Sequence, residues 1–381
     1  MLVVGIDGQS VMGGGATGLG RYTQALIDAF EEWGGEIQAK IYMPKSEKVQ
    51  KEGFKSSIER LKWEQWGMVM QAMKDELDVF HTPCFSLPVV LKFPRVITIH
   101  DLIILKRPNY MSGFSRYYFS KIIPWSAKYA DHIITNSEST KRDVVKYLGI
   151  PQNKVTALML APTFRRDEIV APDVVNRFRS KYKLHHPYVL FVGSLEHRKN
   201  IETLIGQFAR VQQEYPDYRL VIAGSENPYL EKLKQKARKS NVLDKTIFTG
   251  YLNRKELLTA YRESSMVVMP SFDEGFGLPI VEAMEMGKPV VASRIPAHIE
   301  SAGGAAAMFD INAERQLGDE MLKILSDEEY CRLLVEKGLG RAKQLSWNTH
   351  ARKTVEIYYK IVRVAREKRG LKMKTKGPSM S

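Results

Sequence analysis

Cysteine is scarce: Cys84 and Cys331 are the only two in 381 residues, and neither sits in a Cys-x-x-Cys pair or a Cys/His cluster. That argues against a disulfide framework, structural zinc and redox chemistry. No Asp-x-Asp occurs, nor any His/acid cluster at ligand spacing, so no metal is expected. Long apolar runs are missing as well. The longest uncharged apolar-leaning stretch, residues 79–91, carries His81, Pro83 and Pro88, so no segment is expected to span a membrane. The amino terminus shows no basic leader and too short an apolar run for a signal peptide, which gives a cytoplasmic expectation. Acid is in short supply, with 43 Asp and Glu against 57 Lys and Arg, a net charge of +14. An anionic partner follows: nucleic acid, phosphorylated small molecules or an acidic membrane surface. No zinc-finger spacing, RNP-like motif or tandem basic repeat is present, so nucleic acid is set aside as a partner.

What the chain does have is length for two domains and 44% hydrophobic content to bury. Strand-like and helix-like patterns alternate in two series. The first contains strands near residues 2–6, 38–42, 79–80, 96–99 and 133–135, with helices at about 19–33 and 117–129. The second contains strands at 189–192, 220–223, 247–248 and 267–269, with helices at 201–214, 229–240 and 255–263. Between them, residues 161–187 hold turn residues and charges. The fold expectation is α/β: two Rossmann-like doubly wound parallel-sheet domains facing a cleft. The domains are placed at 1–165 and 166–345, followed by a helix at 346–365 and a basic tail at 366–381.

The most informative stretch is Ser271-Phe272-Asp273-Glu274-Gly275-Phe276-Gly277-Leu278-Pro279-Ile280-Val281-Glu282. Proline favours the first helical position, so Pro279 opens a helix with Glu282 in its first turn and Glu274 in the loop before it. Two glycines leave the backbone N–H groups open to a hydroxyl-rich ligand. Upstream, Val192-Gly193-Ser194-Leu195-Glu196-His197-Arg198-Lys199-Asn200 sets two adjacent cations after the domain's first strand, where they suit a diphosphate.

In the first series, residues 13–21 form a glycine-rich turn after strand one. Gly13, Gly15 and Gly18 fit G-x-G-x-x-G, yet no acid ends the second strand, where Ile41-Tyr42-Met43-Pro44 stands, so a nicotinamide reading is weak. What remains is a helix start at Gly18 and Gly20 suited to a phosphate or sugar, or a loop without a ligand.

Gly18-Leu19-Gly20-Arg21-Tyr22, Val192-Gly193-Ser194-Leu195 with Arg198-Lys199-Asn200, and Glu274 separated by seven residues from Glu282 together resemble the retaining glycosyltransferases of family 4, with the GT-B fold, over nearly the whole chain. The resemblance implies a nucleotide-sugar donor held by the second domain and an acceptor entering from the first. It implies that Glu282 reads the ribose, that Glu274 reads the transferred sugar, and that the backbone of Phe276, Gly277 and Leu278 completes that pocket. Arg198 and Lys199 would neutralise the departing diphosphate, with Gly18 and Gly20 assisting. Many relatives carry arginine where this chain has Ser194, and Arg198 would substitute for it. His100, ending a strand, resembles a family histidine that lies against the sugar, with His81 in a similar position and Ser293 near the same pocket. The last helix would cross back onto the first domain.

The same resemblance favours mannose from GDP-mannose, with UDP-sugars possible, moved without metal to a saccharide or lipid-linked acceptor in surface polysaccharide or glycolipid synthesis. A glycoside hydrolase would also use two carboxylates, but has no need of phosphate-binding cations. A sugar-nucleotide epimerase on the same scaffold and a non-catalytic anionic-polymer or membrane binder are the other readings. Aromatics interleaved with cations at 106–121, and the basic tail, suit peripheral contact with an anionic membrane at its inner face.

Overall fold

The structure, a computed structural model, describes residues 1–15, 18–32, 37–52, 54, 56–88, 90–107 and 113–368. The tail cations from Arg369 onward and residues 108–112 of the aromatic segment lie outside the described residues. The chain divides into two units: Met1–Leu160 with the carboxyl-terminal stretch from Ser346, and Ala161–Leu345.

The first unit runs β1 (Leu2–Asp7), α1 (Gly18–Glu32), β2 (Ile37–Tyr42), α2 (Glu47–Glu52), α3 (Ser57–Lys62), α4 (Met68–Ala72), β3 (Val79–Thr82), β4 (Arg95–Ile99), α5 (Ile103–Lys106), α6 (Gly113–Tyr129), β5 (His132–Thr135), α7 (Glu138–Leu148) and β6 (Val155–Ala157). Its strands form one parallel sheet in the order β2-β1-β3-β4-β5-β6. The second unit runs α8 (Pro172–Tyr182), β7 (Tyr188–Val192), α9 (Ile201–Glu214), β8 (Arg219–Ala223), α10 (Tyr229–Lys239), β9 (Thr246–Gly250), α11 (Arg254–Glu263), β10 (Met266–Met269), α12 (Leu278–Glu285), β11 (Val290–Ser293), α13 (Pro296–Ala302), β12 (Ala307–Phe309), α14 (Glu314–Ser326) and α15 (Glu328–Lys343). Its parallel sheet is ordered β12-β11-β10-β7-β8-β9.

Central strands are buried on both faces: every residue of β3, β5, β7, β10 and β11 is inside. That is why their sequences read as unbroken apolar runs such as Met266-Val267-Val268-Met269 rather than alternating ones. Helices cover each face, so the second unit has two apolar layers, one around Leu190, Tyr261 and Ile280 and one around Phe191, Phe208 and Phe309.

In both sheets the first strand lies between its successor on one side and a later strand on the other. The strand order reverses between β1 and β3 and between β7 and β10, and ligands bind at such points outside the carboxyl ends of the strands. The helix α16 (Trp347–Lys368) belongs to the first unit. His350 lies 3.4 Å from the Tyr22 hydroxyl, Tyr358 hydrogen-bonds His81, and Arg366 pairs with Asp78 at 2.6 Å.

Two features differ from the sequence reading. α8 stands inside the stretch read as turn and charge, because Pro172 can open a helix whose single fully buried side chain is Phe178. His81 does not end a strand: β3 continues through Thr82, and both ring nitrogens are spent in the core, on Tyr358 at 2.5 Å and Thr98 at 2.8 Å.

Candidate active site

The second unit's reversal point is built by two loops stitched together. After β7 the chain makes a 3-10 turn over His197–Lys199 and reaches Asn200, whose backbone is left-handed (φ 54°), a conformation asparagine tolerates better than most. Asn200 Nδ2 donates to the Pro270 carbonyl at 3.1 Å, and Phe272 N–H donates to the Arg198 carbonyl at 2.8 Å. These contacts hold the β7 loop against the β10 loop. Lys199 Nζ and Arg198 Nη1 then converge on Glu274, the lysine on Oε1 and the arginine on Oε2 at 3.1 Å, while Ser271 Oγ donates to Oε1 at 2.8 Å. Arg198 also donates from Nε to Glu196 at 2.6 Å.

Burial alone would lift the Glu274 carboxyl, but Lys199 and then Arg198 overcome it and hold it well below the usual carboxylate range. The site therefore carries an ionised carboxylate shared between two cations, an excess of positive charge almost withdrawn from water, with the Lys199 and Glu274 side chains each 10% exposed. Such a cluster can exchange partners: an anion can take the cations and a hydroxyl-bearing ligand the carboxylate.

Next in the chain, Gly277 has φ 101°, and a Cβ there would sit 3.0 Å from the His298 ring. Only glycine suits that backbone. α12 begins at Leu278, with Phe276 and Leu278 turned inward. Glu282 consequently lies in the second turn, not the first. Its carboxylate accepts from Thr163 Oγ1 at 2.6 Å and from Tyr261 OH at 2.9 Å, and it is fully buried. The structure thus gives the two glutamates different partners: two cations and the Ser271 hydroxyl for Glu274, the Thr163 and Tyr261 hydroxyls for Glu282.

Ser293 is also fully buried. Its hydroxyl donates to the Ser271 carbonyl at 2.6 Å, which leaves His298 Nδ1, 3.0 Å away, to donate to Ser293 Oγ and to the Ser293 carbonyl. Ser293 is thus a brace under the loop. His298 carries its proton on Nδ1, and its buried Nε2 has no hydrogen-bond partner. Burial pushes the ring down to about 4. Ser194 stands exposed on the β7 loop.

In the first unit, Gly18 and Gly20 open α1, and two residues on, the Tyr22 ring stands edge-on to His100, centroids 4.6 Å apart. His100 follows β4 and donates from Nε2 to the Pro83 carbonyl at 2.9 Å, so its Nδ1 is the acceptor nitrogen; burial pushes it down to about 4. At the end of β1, Asp7 accepts from Gln9 N–H at 3.0 Å and has Cys84 Sγ 4.0 Å away; burial raises it to about 7.

Sequence reasoning missed Asp7, Gln9, Thr163, Tyr261, Ser271 as a ligand of Glu274, and His298. Only Asp7 had a visible signal, an acid closing an apolar strand. Thr163 and Tyr261 depend on contacts between distant segments, whereas Gln9, Ser271 and His298 act on residues two to five positions away and carried no distinguishing pattern.

Two family models match the chain, one within each unit. The family model for "Glycosyltransferase Family 4" matches residues 16–158, and that for "Glycosyl transferases group 1" matches residues 175–341. O-antigen chain mannosyltransferase B of Escherichia coli is 28% identical over 75% of this chain and 76% of its own length. The serotype-specific mannosyltransferase WbdA of Escherichia coli is 30% identical over 71% of this chain, a match spanning 34% of that larger protein. The Anabaena protein Alr3699/HepE, solved in complex with UDP and glucose, is similar in fold with a TM-score of 0.70 at 17% identity, covering 94% of this chain and all of that one. The chain belongs to the glycosyltransferases, an enzyme with a family 4 amino-terminal part and a group 1 carboxyl-terminal part on the GT-B architecture.

Proposed function

We propose that the chain transfers a hexose, with mannose from GDP-mannose the favoured donor, to a saccharide or lipid-linked acceptor in surface polysaccharide or glycolipid synthesis, with retention of anomeric configuration. The observation that carries the reading is Glu274 held between Arg198 and Lys199 at the reversal point of the second sheet. On donor binding the diphosphate takes the two cations, and Glu274 turns its freed oxygens to hydroxyls of the sugar. Glu282 reads the ribose, which requires it to trade its Thr163 or Tyr261 partner. The bond from the anomeric carbon to the diphosphate oxygen breaks, the acceptor oxygen bonds to that carbon, and its proton passes to the departing phosphate. Arg198 and Lys199 stabilise the negative charge that grows there, work a metal ion does in other transferases. In the first unit, the start of α1 at Gly18 and Gly20 suits an anion, and His100 suits a sugar hydroxyl.

The mannosyltransferase relatives support the sugar. A UDP-sugar is the second reading, supported by the UDP in the Anabaena structure. A thermal-shift panel of GDP, UDP, dTDP and ADP sugars tests the donor, because a ligand of the native state raises stability with its concentration over its dissociation constant. GDP-mannose should give the largest shift, undiminished by chelator. Interconversion of a sugar nucleotide with no acceptor present would replace the transferase reading by an epimerase.

A further inference from the structure

In the second unit the floor beneath the Glu274 loop is α13. Pro296 opens this helix, and His298 and Ser301, three residues apart, share one side of it. That side meets Gly277: a Cβ there would stand 3.0 Å from the His298 ring and 3.2 Å from Ser301 Oγ. His298 and Ser301 are both fully buried. The last turn of the helix is tied to α15, where Arg341 donates from Nε to the Ser301 carbonyl at 3.0 Å and from Nη2 to the Glu300 carbonyl at 2.7 Å. To move from the loop, α13 would have to give up two charge-assisted hydrogen bonds.

From that floor a run of hydrogen bonds climbs to the carboxylate. His298 Nδ1 donates to Ser293 Oγ at 3.0 Å, Ser293 Oγ donates to the Ser271 carbonyl at 2.6 Å, and Ser271 Oγ donates to Glu274 Oε1 at 2.8 Å. The direction is fixed at Ser293: its one hydroxyl proton is given to Ser271, so it can only accept from the ring. The opposite tautomer would also set a lone pair on Nδ1 against the Ser293 carbonyl, 3.2 Å away. With Nδ1 so engaged, Nε2 is an acceptor buried without a partner among the described residues, which costs stability. An apolar side chain of similar size would spare the fold that cost, so the imidazole serves something besides packing.

We infer that His298 is a positioning residue of the donor site: through Ser293 and Ser271 it holds the loop in the shape that presents Glu274 to the transferred sugar. It acts through Glu274 and touches no reacting atom. When the diphosphate takes Arg198 and Lys199, Ser271 is the one of the three side chains on Glu274 that stays with it. The place of Ser271 is set by Ser293, and the place of Ser293 by His298. A group that reads a reacting sugar has to be held within about 0.5 Å of its working geometry, and this brace is what remains to hold it. The inference rests on the reading of Glu274 as the group that binds that sugar.

The test is calorimetric titration of GDP and of GDP-mannose into the full chain, with UDP and UDP-glucose run alongside so that a uridine donor is read by the same comparison. His298→Leu removes the Nδ1 donor, whereas His298→Asn offers an amide N–H at the same place. His298→Leu should bind the bare nucleotide as wild type and the sugar nucleotide about 10-fold more weakly, and His298→Asn should recover most of that loss. Ser293→Ala should show the same split, and His298→Leu/Ser293→Ala no larger a loss than either change alone, because the two residues act as one unit. Without any ligand, hydrogen exchange over residues 271–277 should speed up in His298→Leu and return towards wild type in His298→Asn. Sugar-nucleotide affinity unchanged in His298→Leu overturns the inference. So does a loss shared equally by bare nucleotide and sugar nucleotide, the mark of a general structural role, or a loss that the asparagine does not repair. Should wild type bind none of the four nucleotides, exchange decides alone: if it follows His298, the donor reading falls and the brace stands, and if it does not, both fall.

Discussion

At the carboxyl ends of β1 and β3 the first unit buries Asp7 beside Gln9 and Cys84, with a neutral His100 after β4; at the matching ends of β7 and β10 the second unit buries Glu274 between Arg198 and Lys199. Both carboxylates are out of water, yet burial dominates one and cations the other, so Asp7 is raised to about 7 while Glu274 is held low. The difference shows how one architecture supplies two chemistries. A carboxylate kept ionised against burial needs cations, and cations so placed are available to phosphate. The strand ends of the first unit, with a neutral His100 imidazole and an Asp7 carboxyl raised to about 7, lack the cations that phosphate needs. The same topology thus carries no functional instruction until the strand-end residues are named.

Removing Glu274 should break this comparison most severely. Glu274→Ala leaves Lys199 buried without its carboxylate, which costs about 3 kcal/mol of stability, and should lower the transfer rate roughly 10²- to 10³-fold, measured as kcat on sugar nucleotide and acceptor. The corresponding Asp7→Asn should leave nucleotide binding unchanged.

Acid should separate the two units. The buried histidines of the first unit, His81 at about 3 and His100, His132 and His350 at about 4, are held neutral chiefly by burial, while the second unit has one, His298. An unfolded chain protonates them near 6.5, so the stability they require is complete above that pH and is lost as pH falls towards 4. Asp7, raised, works in the opposite direction, favouring the fold as pH falls below 7, but it is one group against four. Glu274 keeps its ion pair until well below the usual carboxylate range. Hydrogen exchange at pH 4.5 against pH 7 should therefore show protection lost first in residues 1–160 and 346–368. Equal loss in both units would remove this account of their electrostatics.

Smaller still is the contrast between their glycines. Gly277→Ala forces a side chain into a left-handed backbone against His298 and should cost about 1 to 3 kcal/mol in chemical denaturation. Gly18 meets nothing within 4 Å and has no left-handed backbone, so Gly18→Ala should stay within about 1 kcal/mol of wild type, on the stabilising side.

Much of this was legible in the chain. Unbroken apolar runs marked the central strands, and the resemblance to family 4 glycosyltransferases implied that Arg198, Lys199 and Glu274 surround one donor. The short edge strands β6 and β12 carry too few residues for a pattern, and α8 buries only Phe178, so its face was silent. The partners of Glu282 lie 119 and 21 residues away, a pairing that no local spacing announces. His81 misled because its strand runs two residues further than its apolar pair Val79-Phe80, which turns a strand-end histidine into a core one.

The central claim is that the two glutamates divide the donor between them, and calorimetric titration of free GDP into wild type, Glu274→Ala and Glu282→Ala tests it most directly. Glu282→Ala should bind GDP at least about 10-fold more weakly, the loss expected of a charged hydrogen bond. Glu274→Ala should bind it as well as wild type, since removal of the carboxylate leaves Arg198 and Lys199 to the diphosphate. If both variants bind GDP like wild type, or if Glu274→Ala alone is impaired, the division of labour is wrong.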